Sequence, residues 1–248
     1  MKSYNAVLVI LLTLCFANSN AQTKIYNSTS SEMIFSFATI EKGGDKINSN
    51  LRWSPVFNFQ SLKNYDFSQH IGFFHGFAIR NVGFIYDIPG TDTLKKHRTY
   101  NFGIPIGLKI GNLENGQFIY GGYELELPFH YKEKLFINDD KKEVTSVWFG
   151  NQTNWYTQSV FVGVNFQRGF NIKFKYYLDG FFNKDYTETV NGVRSKPFTN
   201  FNAHVFYISI AWNVFKDVKM YRRGKRSRQQ QMDKSSYSYH LSNYQTLN

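Results

Sequence analysis

The chain has 248 residues, a formal net charge of +11, and 19% aromatic residues, including 25 Phe and 17 Tyr. A chain this aromatic is not a disordered one, and past its N-terminus no run approaches the ~18 apolar residues of a membrane-spanning helix. Its one cysteine, Cys15, lies inside the N-terminal apolar run, so the remainder has no disulfide, thiolate metal site or Cys nucleophile.

Residues 1–21 read as a secretory signal peptide. Lys2 supplies the positive start, Ala6 to Ala17 is apolar apart from Thr13, and Ser19-Asn20-Ala21 is a small-x-small cleavage site. The apolar run is too short for a transmembrane helix of roughly 20 residues. The alternative is a lipoprotein signal at Cys15, against which Leu14 stands where a small residue is needed. Residues 22–32 are expected to be an N-terminal periplasmic segment.

From there, period-2 alternation marks eight strands, at about 33–41, 50–60, 67–83, 97–112, 117–131, 153–168, 170–182 and 200–215. The fourth sets Tyr100, Phe102, Ile104, Ile106, Leu108 and Ile110 against Asn101, Gly103, Gly107 and Lys109. The fifth sets Tyr123, Leu125, Leu127 and Phe129 against Glu124, Glu126 and His130. In the seventh, Phe170 to Asp179 alternates apolar with mainly polar residues.

Each strand thus carries one apolar and one polar face. The apolar faces of these segments hold no Asp, Glu, Lys or Arg, as a lipid-facing surface requires, since a Lys or Arg at the bilayer midplane costs about 2–4 kcal/mol. The connections alternate long (42–49, 84–96, 133–152, 183–199) and short (61–66, 113–116, 168–169). That rhythm is the one of outer-membrane barrels, with short periplasmic turns and longer outer loops. A soluble β-sandwich shares the composition but has no reason for the rhythm. The expected fold is all-β: an eight-stranded antiparallel transmembrane up-and-down β-barrel over 33–215.

A barrel of eight strands has room inside only for side chains. The polar faces therefore predict an interior charged network of Arg52, Arg80, Lys109, Glu124, Glu126, Lys173, Lys175 and Asp179, tolerable only if paired. Small inner residues (Gly72, Gly76, Gly103, Gly107, Gly122, Gly163) suit a crowded lumen. Among the histidines, His130 is expected inside with the two glutamates, whereas His75 falls on the apolar face without an evident reason.

After the last strand, residues 216–248 form a basic tail. Lys216, Lys219, Arg222, Arg223, Lys225, Arg226 and Arg228 face only Asp217, and the rest is polar and without periodicity. It reads as a disordered periplasmic extension, either simply solvated or attached to an anionic surface or envelope protein partner. Nucleic acid is not an expected partner of an exported protein.

The stretches Arg80-Asn81-Val82-Gly83-Phe84-Ile85-Tyr86-Asp87 and Arg98 to Gly107 resemble those of small bacterial outer-membrane β-barrel proteins. These are the porin-like, OmpA/OmpX-type barrels, including small barrels associated with type IX secretion. The resemblance implies a Gram-negative outer-membrane location, outer-membrane lipid as surroundings, and the barrel-assembly machinery as a partner during biogenesis. The chain departs from that family in its basic tail. The expected function is structural or adhesive, or part of an envelope assembly, with no enzymatic activity, cofactor or metal. Passive porin-like transport and a surface lipid-A-modifying enzyme remain alternatives. For the last, no His-x-Ser arrangement stands on a strand. Asp139-Asp140 is flanked by Lys141 and Lys142, the pattern of a solvated acidic turn.

Overall fold

The computed structural model describes residues 23–190 and 192–221. The expected signal peptide and the tail from Arg222 onward, with Arg223, Lys225, Arg226 and Arg228, lie outside the described residues. The strands are β1 (Thr23–Lys42), β2 (Asp45–Ile47), β3 (Ser49–Asn50), β4 (Arg52–Ser54), β5 (Phe59–Asp66), β6 (Ile71–Asp87) and β7 (Thr93–Asn112). They continue as β8 (Gln117–Ile137), β9 (Asp140–Trp148), β10 (Thr157–Asn165), β11 (Phe170–Tyr177), β12 (Glu188–Val190), β13 (Val193–Ser195) and β14 (Phe201–Tyr221).

Antiparallel pairing runs β1-β5-β6-β7-β8, then β8 to β10, β11 and β14, and β14 closes on β1. The result is an eight-stranded antiparallel up-and-down barrel. The second stave is broken into β2 to β5. Its main break is at Pro55–Asn58, where Phe57 takes φ 61° and Asn58 patches the ladder. The Asn58 side chain donates to Ser54 O at 2.8 Å and accepts from Asn81 N at 2.7 Å.

One end of the barrel carries the first and last described residues and three short turns. The other carries the longer connections, and these are called here the turn end and the loop end. Several boundaries differ from the sequence reading. The segment expected at 22–32 is strand from Thr23 onward, paired with β14 through Tyr221, so Lys216 and Lys219 also lie on a strand rather than in a tail. Its outward residues Asn27, Thr29 and Ser31 are polar, which hid the alternation. The expected loops 84–96 and 133–152 are largely strand as well, because β6 to β9 run on past the apolar band. The expected seventh segment, 170–182, ends as β11 at Tyr177, and Phe181 and Phe182 belong to the following loop.

The outer surface has the layout of a lipid-facing barrel. Phe102, Ile104, Ile106, Leu108 and Ile110 on β7, Val160, Val162 and Val164 on β10, and Ile172 and Phe174 on β11 are all exposed. From Tyr100 to Ile110 the strand rises about 34 Å, or about 26 Å of height at a tilt of about 40°, close to the ~25 Å apolar band of such barrels. Aromatic rings mark both edges. Toward the loop end Phe57 packs edge-on to Tyr100 at 5.8 Å and Phe129 stacks on Trp148 at 6.0 Å. Toward the turn end Phe170 meets Trp212 at 4.8 Å and Phe166 at 5.6 Å. His75 does face outward, stacked on Tyr65 at 5.7 Å and paired in register with Lys63. The outer face therefore holds cations that the sequence reading did not place there: Lys63, outside its segments, and, toward the loop end, Arg98, inside the fourth segment and in phase with Tyr100. Lys63 sits three residues from the turn end of β5, where its stem can reach the interface.

Candidate functional site

Among the described residues, polar and charged side chains converge in the barrel interior, which is layered. Alternation places Glu32 and Arg80 inward on β1 and β6, Glu124 and Glu126 on β8, and Lys173 and Lys175 on β11. Arg80 lies 3.1 Å from Glu124 through Nε and 2.8 Å from Glu32 through Nη1, the latter an ion pair without hydrogen-bond alignment. Lys173 donates to Glu32 at 2.6 Å. Lys175 donates to Glu124 at 2.7 Å and is also paired with Glu126. Tyr177 and Asn101 donate to Glu126 at 2.7 Å and 2.6 Å. The three cations and three carboxylates of this layer are nearly inaccessible to solvent, and their formal charges cancel. Buried charge is sustainable only under such pairing.

Five of the eight residues expected in the interior network meet here: Arg80, Glu124, Glu126, Lys173 and Lys175. The other three do not. Lys109 belongs to a separate cluster nearer the turn end, bonded to Asp66 at 2.6 Å, Tyr26 at 2.8 Å and Asn64 at 3.1 Å. Arg52 sits toward the loop end and donates to the Asn81 carbonyl at 3.1 Å and to its side chain. Asp179 lies beyond the end of β11 and accepts from the Gln158 amide at 2.6 Å. The structure adds Glu32 and Asp66, which the sequence reading left outside its segments. Counting the strict alternation of β1 back from Ile34 would have found Glu32.

Small residues make room for these groups. A Cβ on Gly103 would collide with the Glu124 carboxylate, and one on Gly163 with the Tyr120 ring. What space remains is slight. A cavity of about 30 Å³ touches Arg80, Lys109 and Lys173, and another of about 20 Å³ touches Asn101 and Tyr177. Such volumes hold one or two waters each. At the turn end the interior widens into an open vestibule of about 320 Å³ beside Lys24, Glu114 and Arg168.

The loop end is closed by aromatic packing. The connection from β11 to β14 folds Phe181, Phe182 and Phe198 back into the mouth, against Phe84, Tyr86, His97 and Phe201. Phe182 stacks on Phe198 at 4.2 Å and meets His97 edge-on at 5.0 Å. The His97 ring contacts the Tyr131 hydroxyl at 2.9 Å, and that hydroxyl donates to Glu133 at 2.9 Å. Burial pulls the His97 imidazole down to about 4, more than the nearby Glu133 carboxylate holds it up, with Lys95 and Lys42 adding to the fall.

His130 corrects the sequence reading. A register shift between Tyr100 and Asn101 inserts Phe129 as an extra residue on β8, and a bulge of this kind reverses the alternation beyond it. His130 consequently turns outward with Tyr100, against Trp148, away from Glu124 and Glu126. Its Nε2 lies 2.9 Å from Ser146 Oγ, a His–Ser contact absent from the linear sequence. The glutamates that could orient it point into the lumen and are held by lysine and arginine. Among the described residues, no group of three His, Cys, Asp or Glu could hold a metal ion.

This arrangement defines a barrel with a lipid-facing exterior and a filled, charge-balanced core: a membrane β-barrel of the outer-membrane type. No protein-family model matches the chain, and no curated protein does. Among solved structures it is similar to Ail, the attachment invasion locus protein of Yersinia pestis, solved alone and in complex with the heparin analogue sucrose octasulfate. For that complex the identity is 12%, the coverage 78% of this chain and 99% of Ail, and the TM-score 0.34. The outer membrane protein OprG from Pseudomonas aeruginosa is also similar, at 10% identity, 78% and 96% coverage, and TM-score 0.33.

Proposed function

We propose that the protein is a non-enzymatic outer-membrane barrel that serves the envelope structurally, as an adhesive surface or as part of an assembly, and does not conduct solutes. The loop end faces outward and the turn end faces the periplasm. The observation that carries this reading is the filled lumen: a neutral lattice of Arg80, Lys173, Lys175, Glu32, Glu124 and Glu126, capped by Phe181, Phe182 and Phe198. An ion crossing it would have to displace paired buried charges and an aromatic cap. On this reading outer-membrane lipid surrounds the barrel, the assembly machinery inserts it, and the basic tail is left to engage an envelope partner. The His130–Ser146 contact does not favour catalysis, because no carboxylate orients the imidazole. Planar-bilayer recording of the purified protein tests the reading. Silent membranes are expected, and stable channels of nanosiemens size would overturn it.

A further inference from the structure

The outward face just beyond the loop-end aromatic girdle carries an arrangement that strands avoid. Tyr100 and His130 are register partners at the girdle. The next two outward pairs up the same strands are Arg98 with Lys132 and Lys96 with Lys134. Four cations thus occupy a two-by-two block, about 5 Å across the strands and about 7 Å along them. Like charges directly opposite each other destabilise a sheet. The inward residues between them, His97, Thr99 and Tyr131, are buried, so the four side chains share the outer surface.

Among the described residues, no carboxylate lies within ion-pair distance of any of the four. Glu133 is on the inward side with Lys95, at 2.9 Å. Asp87, on the neighbouring strand, is taken by Asn50 at 2.9 Å. The cations rest on rings instead: Arg98 lies 5.4 Å from the Tyr100 centroid and Lys96 lies 4.6 Å from that of Phe136. Lys141, register partner of Phe136, adds a fifth positive charge. The Lys134 amine is held below its ordinary value by partial burial and by repulsion from Arg98, Lys132, Lys141 and Lys96.

The position selects the ligand. The block stands one step above Tyr100, Phe129 and Trp148, the level at which girdle aromatics meet lipid headgroups. Below it lie the exposed apolar residues Phe102, Ile104 and Phe77, against which acyl chains can pack. We propose that Lys96, Arg98, Lys132 and Lys134 form a binding site for the sugar-linked phosphates of an outer-leaflet glycolipid of the lipid A type. The Arg98 guanidinium suits bidentate grip on a phosphate, while the lysines act as point charges around it. The outer-leaflet assignment rests on the orientation given under Proposed function.

The test uses full-length protein folded in nanodiscs, with bis-phosphorylated lipid A or its dephosphorylated form as probe and native mass spectrometry as readout. Wild-type protein is expected to retain the phosphorylated lipid at least about tenfold better than the dephosphorylated one. The combined substitution K96Q, R98Q, K132Q and K134Q should abolish that preference, and the milder pair K132Q and K134Q should reduce it. Heat-modifiable gel migration checks that each variant folds. As a control, K63Q at the turn end should leave retention unchanged. Equal retention of the two lipids by wild type, or an unchanged preference in the folded four-residue variant, would overturn the site. Displacement of lipid A by inorganic pyrophosphate at matching concentration would overturn its assignment to a lipid. Binding in nanodiscs is independent of cellular orientation. A site that binds lipid A on a barrel labelled from the wrong side of the cell would therefore sink the orientation alone.

Discussion

Lys173 and Glu32, 141 positions apart in the chain, meet at 2.6 Å in the centre of the barrel. Their contact ties β1 to β11 across β14, and it holds one corner of the lattice that also contains Arg80, Glu124 and Lys175. Removing one partner of such a buried group leaves an uncompensated charge, which costs about 3–5 kcal/mol. Glu124→Gln, which strips a carboxylate from both Arg80 and Lys175, should lower the urea midpoint of folding in vesicles by a corresponding amount. Lys175→Met alone should also destabilise, and the two changes combined should cost clearly less than their sum. Additive losses would mean that the lattice does not act as a unit.

How much of this was legible depends on where lipid sits. Between the girdles the bilayer favours apolar outward residues, His75 aside, so Tyr100 to Ile110 and Phe170 to Tyr177 announce their faces at once. Outside that band the constraint disappears. Lys96, Lys132 and Lys134 are outward beyond the ends of the expected segments, Arg98 is outward at the start of the fourth, in phase with Tyr100, and Asn27, Thr29 and Ser31 conceal the start of β1. Where alternation is strict on β6, β8 and β11, the charged residues Arg80, Glu124, Glu126, Lys173 and Lys175 point inward, but which charges meet depends on stagger between staves. That is why Lys109 finds Asp66 while Arg52 finds Asn81. The bulge at Phe129 left no mark in the pattern, and it moved His130 to the opposite face.

The outer face offers a second test. Ile106 is 45% exposed in the middle of the apolar band, and Val144 is 44% exposed on β9, past the girdle. An arginine costs about 2–4 kcal/mol at the midplane of a barrel and about 0–1 near the interface. Ile106→Arg should therefore cut the folded fraction seen by heat-modifiable migration, while Val144→Arg should leave it nearly intact. Fractionation bears on the same point: wild-type protein recovered as a soluble periplasmic species without detergent would refute a membrane barrel altogether.

Orientation can be read directly on cells. Asp140 lies at the β8–β9 hairpin of the loop end, and the tail follows β14 at the turn end. With Cys15 expected to leave with the signal peptide, Asp140→Cys and Ser235→Cys each provide a single thiol. An impermeant maleimide should label the first on intact cells and the second only after the outer membrane is permeabilised. The opposite pattern would invert the assignment of the two ends.

The aromatic cap should respond to acid through His97. Its ring is buried among Phe84, Tyr86, Phe182 and Phe201, beyond the girdle on the loop-end side. Its folded value of about 4 lies below the ordinary 6.5, so the folded cap prefers the neutral ring. Above pH 6.5 the ring is neutral in both folded and opened states, and its packing contributes in full. As pH falls from 6.5 toward 4, the opened state takes up the proton first, and the cap loses stability throughout that window. The charges facing the ring are Glu133, Lys95 and Lys42; the carboxylate alone favours the protonated ring, and it is outweighed by burial. Near-ultraviolet circular dichroism of the folded protein should lose aromatic intensity across this range, before the far-ultraviolet strand signal changes. His97→Phe, which keeps a ring of similar size without a proton site, should hold its near-ultraviolet signal to lower pH. If that variant loses the signal at the same pH as wild type, acid acts on the carboxylates of the barrel rather than on His97.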